Sequence, residues 1–344
     1  MDQPQQTTSV WRRTEVKSPI MDAPVPVICA TDVPYVPDGH RFQTFDLYLP
    51  ETEATLALVG APVDSLTEVG SPSQLPGCLV HIHGGAWRDP QLTARSIEPT
   101  VAHAFVAPGP IVSIVSINYT ISPFPTHPTD PYDPSDADHG DPAREAVHPR
   151  HLEDVLHALA RLHALGVDDG SFLLSGHSCG ACLAFQAVLA PSSHYGLGEV
   201  ANVPTPAAAL GFNGLYDLPA LVDGLDATHA HVRDEYDGLL SIAFGPNRLQ
   251  WESASPALID PAVIAKRLAD GKVSPLVVLD QSEQDQLVPM NQRDRLATKL
   301  AQVKGLRTVV GHRCHGHHAD AWQRGDMIWL GVQDALALLA RGQP

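Results

Sequence analysis

Six short, largely apolar runs are strung along the chain at 78–82, 111–117, 172–174, 207–212, 276–279 and 306–310. Each is too short for an ordinary helix, and each fits a strand buried on both faces, as in a parallel sheet. Between them lie stretches of helical period. Leu152, Val155, Leu156, Leu159, Leu162 and Leu165 fall on one face, with His, Glu and Arg on the other. Residues 290–304 and 326–340 also read as helices. Strands alternating with helices predict an α/β fold with a mostly parallel central sheet flanked by helices.

Phe45, Leu47 and Leu49 alternate with Asp46 and Tyr48, which adds a half-buried strand near the start. Residues 1–40 read as a loosely packed N-terminal arm and 41–344 as one domain. The stretch 51–77 is a long polar loop. Two segments interrupt the alternation. Residues 120–149 are rich in proline and aspartate and read as a long loop, a lid or a segment disordered at its tip. Residues 214–272 read as a cap-like insertion between two strands.

The chain has 344 residues and a formal net charge of −17, which disfavours phosphate backbones and anionic membranes as partners. No apolar run approaches the ~20 residues a bilayer span needs. The polar, acidic start lacks the pattern of a signal or transit peptide, so a cytoplasmic location is expected. The cysteines are Cys29, Cys78, Cys179, Cys182 and Cys314, an odd and scattered set that does not suggest a disulfide framework. Cys179-x-x-Cys182 has redox or metal spacing, but no second such pair accompanies it.

That pair sits inside a stronger pattern. Gly176-His177-Ser178-Cys179-Gly180 is a G-x-S-x-G between a predicted strand and a predicted helix, which is what a nucleophile elbow requires. Ser178 is the candidate nucleophile. His83-Gly84-Gly85-Ala86-Trp87 follows the run at 78–82, and its paired glycines suit an oxyanion hole made by Gly84 or Gly85 with Cys179. A serine needs a base and the base an orienting acid. Asp285, just past the run 276–279 and followed by Leu-Val-Pro two residues on, is the candidate acid, with Asp280 and Glu283 as rivals. The next loop holds His312, His315, His317 and His318, and spacing does not choose among them. The order serine, acid, histidine is that of the α/β-hydrolases. His81 and His177 read as packing residues or neighbours of the site. The histidine cluster with Cys314 lacks ligand partners at metal spacing, so neither a metal nor a cofactor is expected.

These motifs, with Asn118-Tyr119 and Gly214-Leu215-Tyr216-Asp217-Leu218, resemble the kynurenine formamidase (arylformamidase) branch of the α/β-hydrolases, especially its fungal members. The resemblance runs from about residue 40 to 335. Many related esterases carry a third glycine where Ala86 stands. The family's C-terminal G-x-H-x-D, with an aromatic two residues later, maps onto Gly316-His317-His318-Ala319-Asp320 and Trp322. That selects His318 as base, with His317 next in register. The resemblance implies hydrolysis of N-formyl-L-kynurenine to L-kynurenine and formate, a step of tryptophan breakdown and NAD synthesis. Trp87, Tyr119 and Phe212 are candidates for an aromatic pocket, and each equally suits the core. The alternative activity is a carboxylesterase of the hormone-sensitive-lipase type acting on small acyl esters. A third reading is an inactive hydrolase-fold binding protein, disfavoured because serine, acid, base and hole occur in order. A small-molecule substrate is the expected partner, with no nucleic acid and no membrane; assembly into a homodimer is left open.

Overall fold

The apolar runs become the centre of one sheet. The computed structural model describes residues 9–63, 76–136 and 140–342. Its strands are β1 (Arg12–Val16), β2 (Val25–Pro34), β3 (Thr44–Pro50), β4 (Cys78–Ile82), β5 (Ser113–Ile117), β6 (Phe172–His177), β7 (Ala208–Phe212), β8 (Leu276–Asp280) and β9 (Arg307–Val310). Among the described residues they form a nine-stranded sheet in the order β1-β2-β3-β5-β4-β6-β7-β8-β9. Pairing from β5 through β9 is parallel, and β1, β2 and β3 add an antiparallel edge.

The helices are α1 (Glu53–Leu56), α2 (Glu98–Phe105), α3 (Arg150–Ala164), α4 (Cys179–Leu189), α5 (Ala220–Asp223), α6 (Arg233–Phe244), α7 (Arg248–Ala254), α8 (Pro261–Ala269), α9 (Asn291–Leu300), α10 (Asp320–Arg324) and α11 (Asp326–Arg341). Side chains alternate along each strand, so two cores form. On one face Val80, Leu174 and Val277 share a core with Leu152, Val155 and Leu159 of α3, Leu183 of α4 and Leu296 of α9. On the other, Leu79, Leu173 and Val278 share a core with Val101 of α2 and Met327, Ile328 and Val332 of α11.

Register decides where chemistry can sit. Ile82 pairs with Gly176, Gly176 with Gly211 and Gly211 with Leu279, so the four strands end at one level. The chain runs from β4 outward to β5, then crosses back to β6. The crevice outside the carboxyl ends of β4 and β6 is therefore a topological switch point, where open α/β sheets bind ligands.

Three differences from the sequence reading stand out. Residues 1–40 are not merely an arm, because β1 and β2 lie there and pair within the sheet. Only Val16 of β1 is buried, so that strand carries almost no periodic signal. The segment 120–149 is docked: Ser122 N donates to Trp87 O at 2.7 Å, and Gln91 Nε2 to Thr129 Oγ1 at 2.7 Å. The disorder expected at its tip falls on 137–139, outside the described residues. The polar loop 51–77 opens with α1, capped by Thr52, and its residues 64–75 lie outside the described residues.

Candidate active site

Ser178 stands between β6 and α4 with φ 56° and ψ −125°. Such a backbone costs on the order of 1–3 kcal/mol and persists only where its surroundings over-determine it. Both glycines of the motif are needed here. A Cβ at Gly180 would collide with the carbonyls of Ile82 and His83, and one at Gly176 with the backbone of Gly180. The turn is pinned by Ser178 N donating to Phe212 O at 2.9 Å and by Leu215 N donating to Ser178 O at 3.4 Å. Ser178 thus heads an eleven-residue helix, whose N-terminus favours negative charge.

The turn after β4 presses on this serine. A Cβ on Gly84 would lie 3.2 Å from Ser178 Cβ and 2.9 Å from His177 Nδ1. Gly85, Ala86 and Trp87 follow at φ 102°, 49° and 59°, three successive left-handed residues. Neighbours hold them so. Arg88 N and Asp89 N both donate to Gly85 O at 2.9 Å, and Trp87 N donates to Cys179 Sγ at 3.3 Å. The Tyr119 hydroxyl lies 3.2 Å from His83 O, 3.1 Å from Gly84 O and 3.4 Å from Cys179 Sγ. Burial pushes the Cys179 thiol up to about 11 and the His83 imidazole down to about 4, so both are neutral supports at pH 7.

Past β8 the rival acids separate by geometry. Asp280 accepts Arg313 N at 2.8 Å and Cys314 N at 2.9 Å, anchoring the start of the histidine loop. Glu283 is exposed. Asp285 Oδ2 accepts His318 Nδ1 at 2.7 Å, while its Oδ1 takes Leu287 N and Val288 N at 2.9 Å each. An ionised carboxylate only accepts, so Nδ1 carries the proton and Nε2 presents its lone pair. His318 is buried, whereas His312, His315 and His317 are exposed. The His318 carbonyl accepts from Asn213 Nδ2 at 3.2 Å and from His177 Nε2 at 3.0 Å, and the His177 and His318 rings lie 4.7 Å apart. Residues on either side of the elbow therefore grip the histidine loop.

The three aromatics expected around a pocket are withdrawn into the interior, each 0% exposed. Trp87 packs edge-on against Phe244 at 4.9 Å. Tyr119 stacks on His83 at 4.7 Å beneath the Gly84–Gly85 turn. Phe212 faces α11, so close that a Cβ on Gly331 would come within 2.6 Å of its Cε1. These are packing roles; what Phe212 lends the elbow is its carbonyl.

Sequence reasoning passed over two further residues, both in 214–272. His229 Nε2 donates to Asp285 O at 2.8 Å, with its Nδ1 at 2.8 Å from Asp226. Tyr236 of α6 donates from its hydroxyl to Leu287 O at 3.1 Å. Neither lies in a motif; only the folding of that stretch onto the acid loop reveals them.

No family model matches the chain. Among curated proteins, kynurenine formamidase avaC of Aspergillus versicolor is 30% identical over 281 residues, spanning 73% of this chain and 85% of that one. The kynurenine formamidase-like hydrolase fscH of Fusarium equiseti is 28% identical over 314 residues, 89% and 94% of the two chains. A kynurenine formamidase of Meyerozyma guilliermondii is 26% identical over 273 residues, 77% and 88%. Among solved structures, esterase B of Lactobacillus rhamnosis aligns with a TM-score of 0.60 at 14% identity, covering 92% of this chain and 86% of that one. A thermophilic esterase of Thermogutta terrifontis aligns at 0.53 with 19% identity, covering 90% and 91%. The chain belongs to the kynurenine formamidase family and has the α/β-hydrolase fold.

Proposed function

We propose that the protein hydrolyses N-formyl-L-kynurenine to L-kynurenine and formate through a formyl-serine intermediate, as a cytoplasmic step of tryptophan breakdown and NAD synthesis. The observation that carries this reading is the 2.7 Å His318–Asp285 hydrogen bond beside a serine in an elbow conformation, in a chain of this family. His318 Nε2 takes the proton of Ser178 Oγ as that oxygen attacks the formyl carbon. The oxyanion is received by backbone N–H groups of the Gly84–Gly85 turn and of Cys179. Collapse breaks the carbon–nitrogen bond, and His318 returns the proton to the departing arylamine. Water, deprotonated by His318, then attacks the formyl ester; formate leaves and Ser178 Oγ regains its proton. Asp285 holds the His318 tautomer and stabilises its cation throughout. Among the described residues no helix is long and apolar enough to cross a membrane.

The test is hydrolysis of N-formyl-L-kynurenine by the purified protein, with Ser178→Ala and a p-nitrophenyl ester alongside. Kynurenine release that falls by several orders of magnitude in Ser178→Ala is the expected result. Cleavage of the ester alone, abolished in Ser178→Ala, would replace the formamidase reading with the esterase one.

A further inference from the structure

Arg88 is a charged residue beside the site with no part in the reaction steps. Arg88 follows Trp87, and its backbone N–H closes the Gly85 turn. Its side chain is 8% exposed. The guanidinium lies 3.8 Å over the ring of Phe124, which the docked 120–149 segment brings in. Its carboxylate partner is Glu235 of α6, whose side chain is 61% exposed. Among the described residues, Arg88 Nε is buried without a hydrogen-bond partner. Next to Glu235 stands Tyr236, which is bonded to the acid loop and whose hydroxyl is raised by burial and then by the charge of Asp285. The Arg88–Glu235 pair therefore ties the Gly84–Gly85 turn to α6, the helix bonded to the loop of Asp285.

A guanidinium buried to this degree gives up much of its hydration. An ion pair with a carboxylate screened by solvent restores little of it. Packing alone would be served better by an apolar side chain. Formyl transfer itself needs no cation at this position. What remains is recognition: a flat, stacked guanidinium with donors to spare is built for a carboxylate, and Glu235 already occupies it with one.

We propose that Arg88 and Glu235 form a receptor for an α-amino-acid head group, Arg88 taking the substrate's α-carboxylate and Glu235, released from Arg88, taking its α-ammonium. This rests on the formamidase reading and deepens it, because the scissile arylformamide of that substrate carries a zwitterionic arm. One internal ion pair is exchanged for two with the ligand.

The experiment measures kcat/KM on three substrates: N-formyl-L-kynurenine, its decarboxylated analogue N-formylkynuramine, and the deaminated acid, 4-(2-formamidophenyl)-4-oxobutanoate. In Arg88→Met the preference for the amino acid over the decarboxylated analogue falls on the order of a hundredfold, carried by KM. Arg88→Lys, which keeps charge and bulk, loses only part of that preference. In Glu235→Gln the preference over the deaminated acid falls about fivefold, the smaller figure reflecting its exposure. A merely structural ion pair would lower all three substrates in parallel and leave both ratios where they were, which overturns the proposal. So does either ratio staying fixed in a variant whose unfolding midpoint is unchanged. If the wild type hydrolyses none of the three formamides, the formamidase reading itself falls and takes this inference with it. Hydrolysis with immobile ratios sinks the inference alone.

Discussion

Lowering the pH from 7 to 5 strikes at a set of buried histidines. Burial depresses His81 and His151 to about 3, His83 and His148 to about 4, and His177 well below its ordinary 6.5. A depressed pKa in the folded state contributes stability that is present above 6.5 and is lost as the pH falls toward the folded values. At pH 5 the unfolded chain binds nearly one proton at each of the five, and the folded chain binds almost none. Each then costs about 2 kcal/mol between pH 7 and 5, or about 9 kcal/mol in total. Asp46 works in the opposite sense. Burial raises it to about 6, so its protonation on acidification stabilises the folded state by about 1 kcal/mol. A net loss of about 8 kcal/mol is comparable to the 5–15 kcal/mol that holds a typical domain together. The expected outcome is a urea midpoint, followed by tryptophan fluorescence, that falls steeply below pH 6.5, with spontaneous unfolding near pH 5. Unfolding at that pH takes up about four protons, nearly five at the histidines less the one Asp46 releases, measurable in a weakly buffered solution. A midpoint that stays flat from pH 7.5 to 5.5 would refute the reasoning, because the five imidazoles would then be protonated equally in both states.

Two further outcomes follow from single contacts. Asp285→Asn keeps the acceptor for Leu287 N and Val288 N but offers an N–H to His318 Nδ1, which selects the wrong tautomer. Its kcat should fall on the order of 10³–10⁴ with circular dichroism unchanged, and a loss under tenfold would remove Asp285 from the mechanism. Gly331→Ala drives a methyl onto the Phe212 ring from α11 and should cost ~1–3 kcal/mol in urea unfolding, with the catalytic constants of the surviving folded enzyme intact.

Much of this architecture is written locally. The run 78–82 coincides with β4, and the motif around Ser178 declares strand, turn and helix within ten residues, because two glycines are the only solution to its backbone collisions. The acid and base needed more. Spacing favours Asp285 and leaves Asp280 as a rival, and only the fold shows one bonded to the imidazole and the other to the backbone of the histidine loop. His229, Tyr236 and the Arg88–Glu235 pair were illegible because their meaning is long-range: each acts across a contact between segments far apart in sequence. The aromatics misled for a related reason. Trp87 and Tyr119 lie in the motifs, yet the fold buries both rings, one edge-on against Phe244 of α6 and the other stacked on His83.

The N-terminal strand has a bearing on how the protein behaves in a crowded solution. β2 alternates buried residues of both cores along its length, and without a neighbour it would present a ladder of free amides and carbonyls beside an apolar surface. β1 occupies that ladder, and its own outer rim is Arg12, Arg13, Thr14 and Glu15, all exposed and mostly charged. Short, charged edge strands resist the docking of further strands. β1 is thus a guard against runaway sheet growth, and trimming it away together with the buried Trp11 before it would bare the ladder of β2 and open the core, inviting the protein to aggregate.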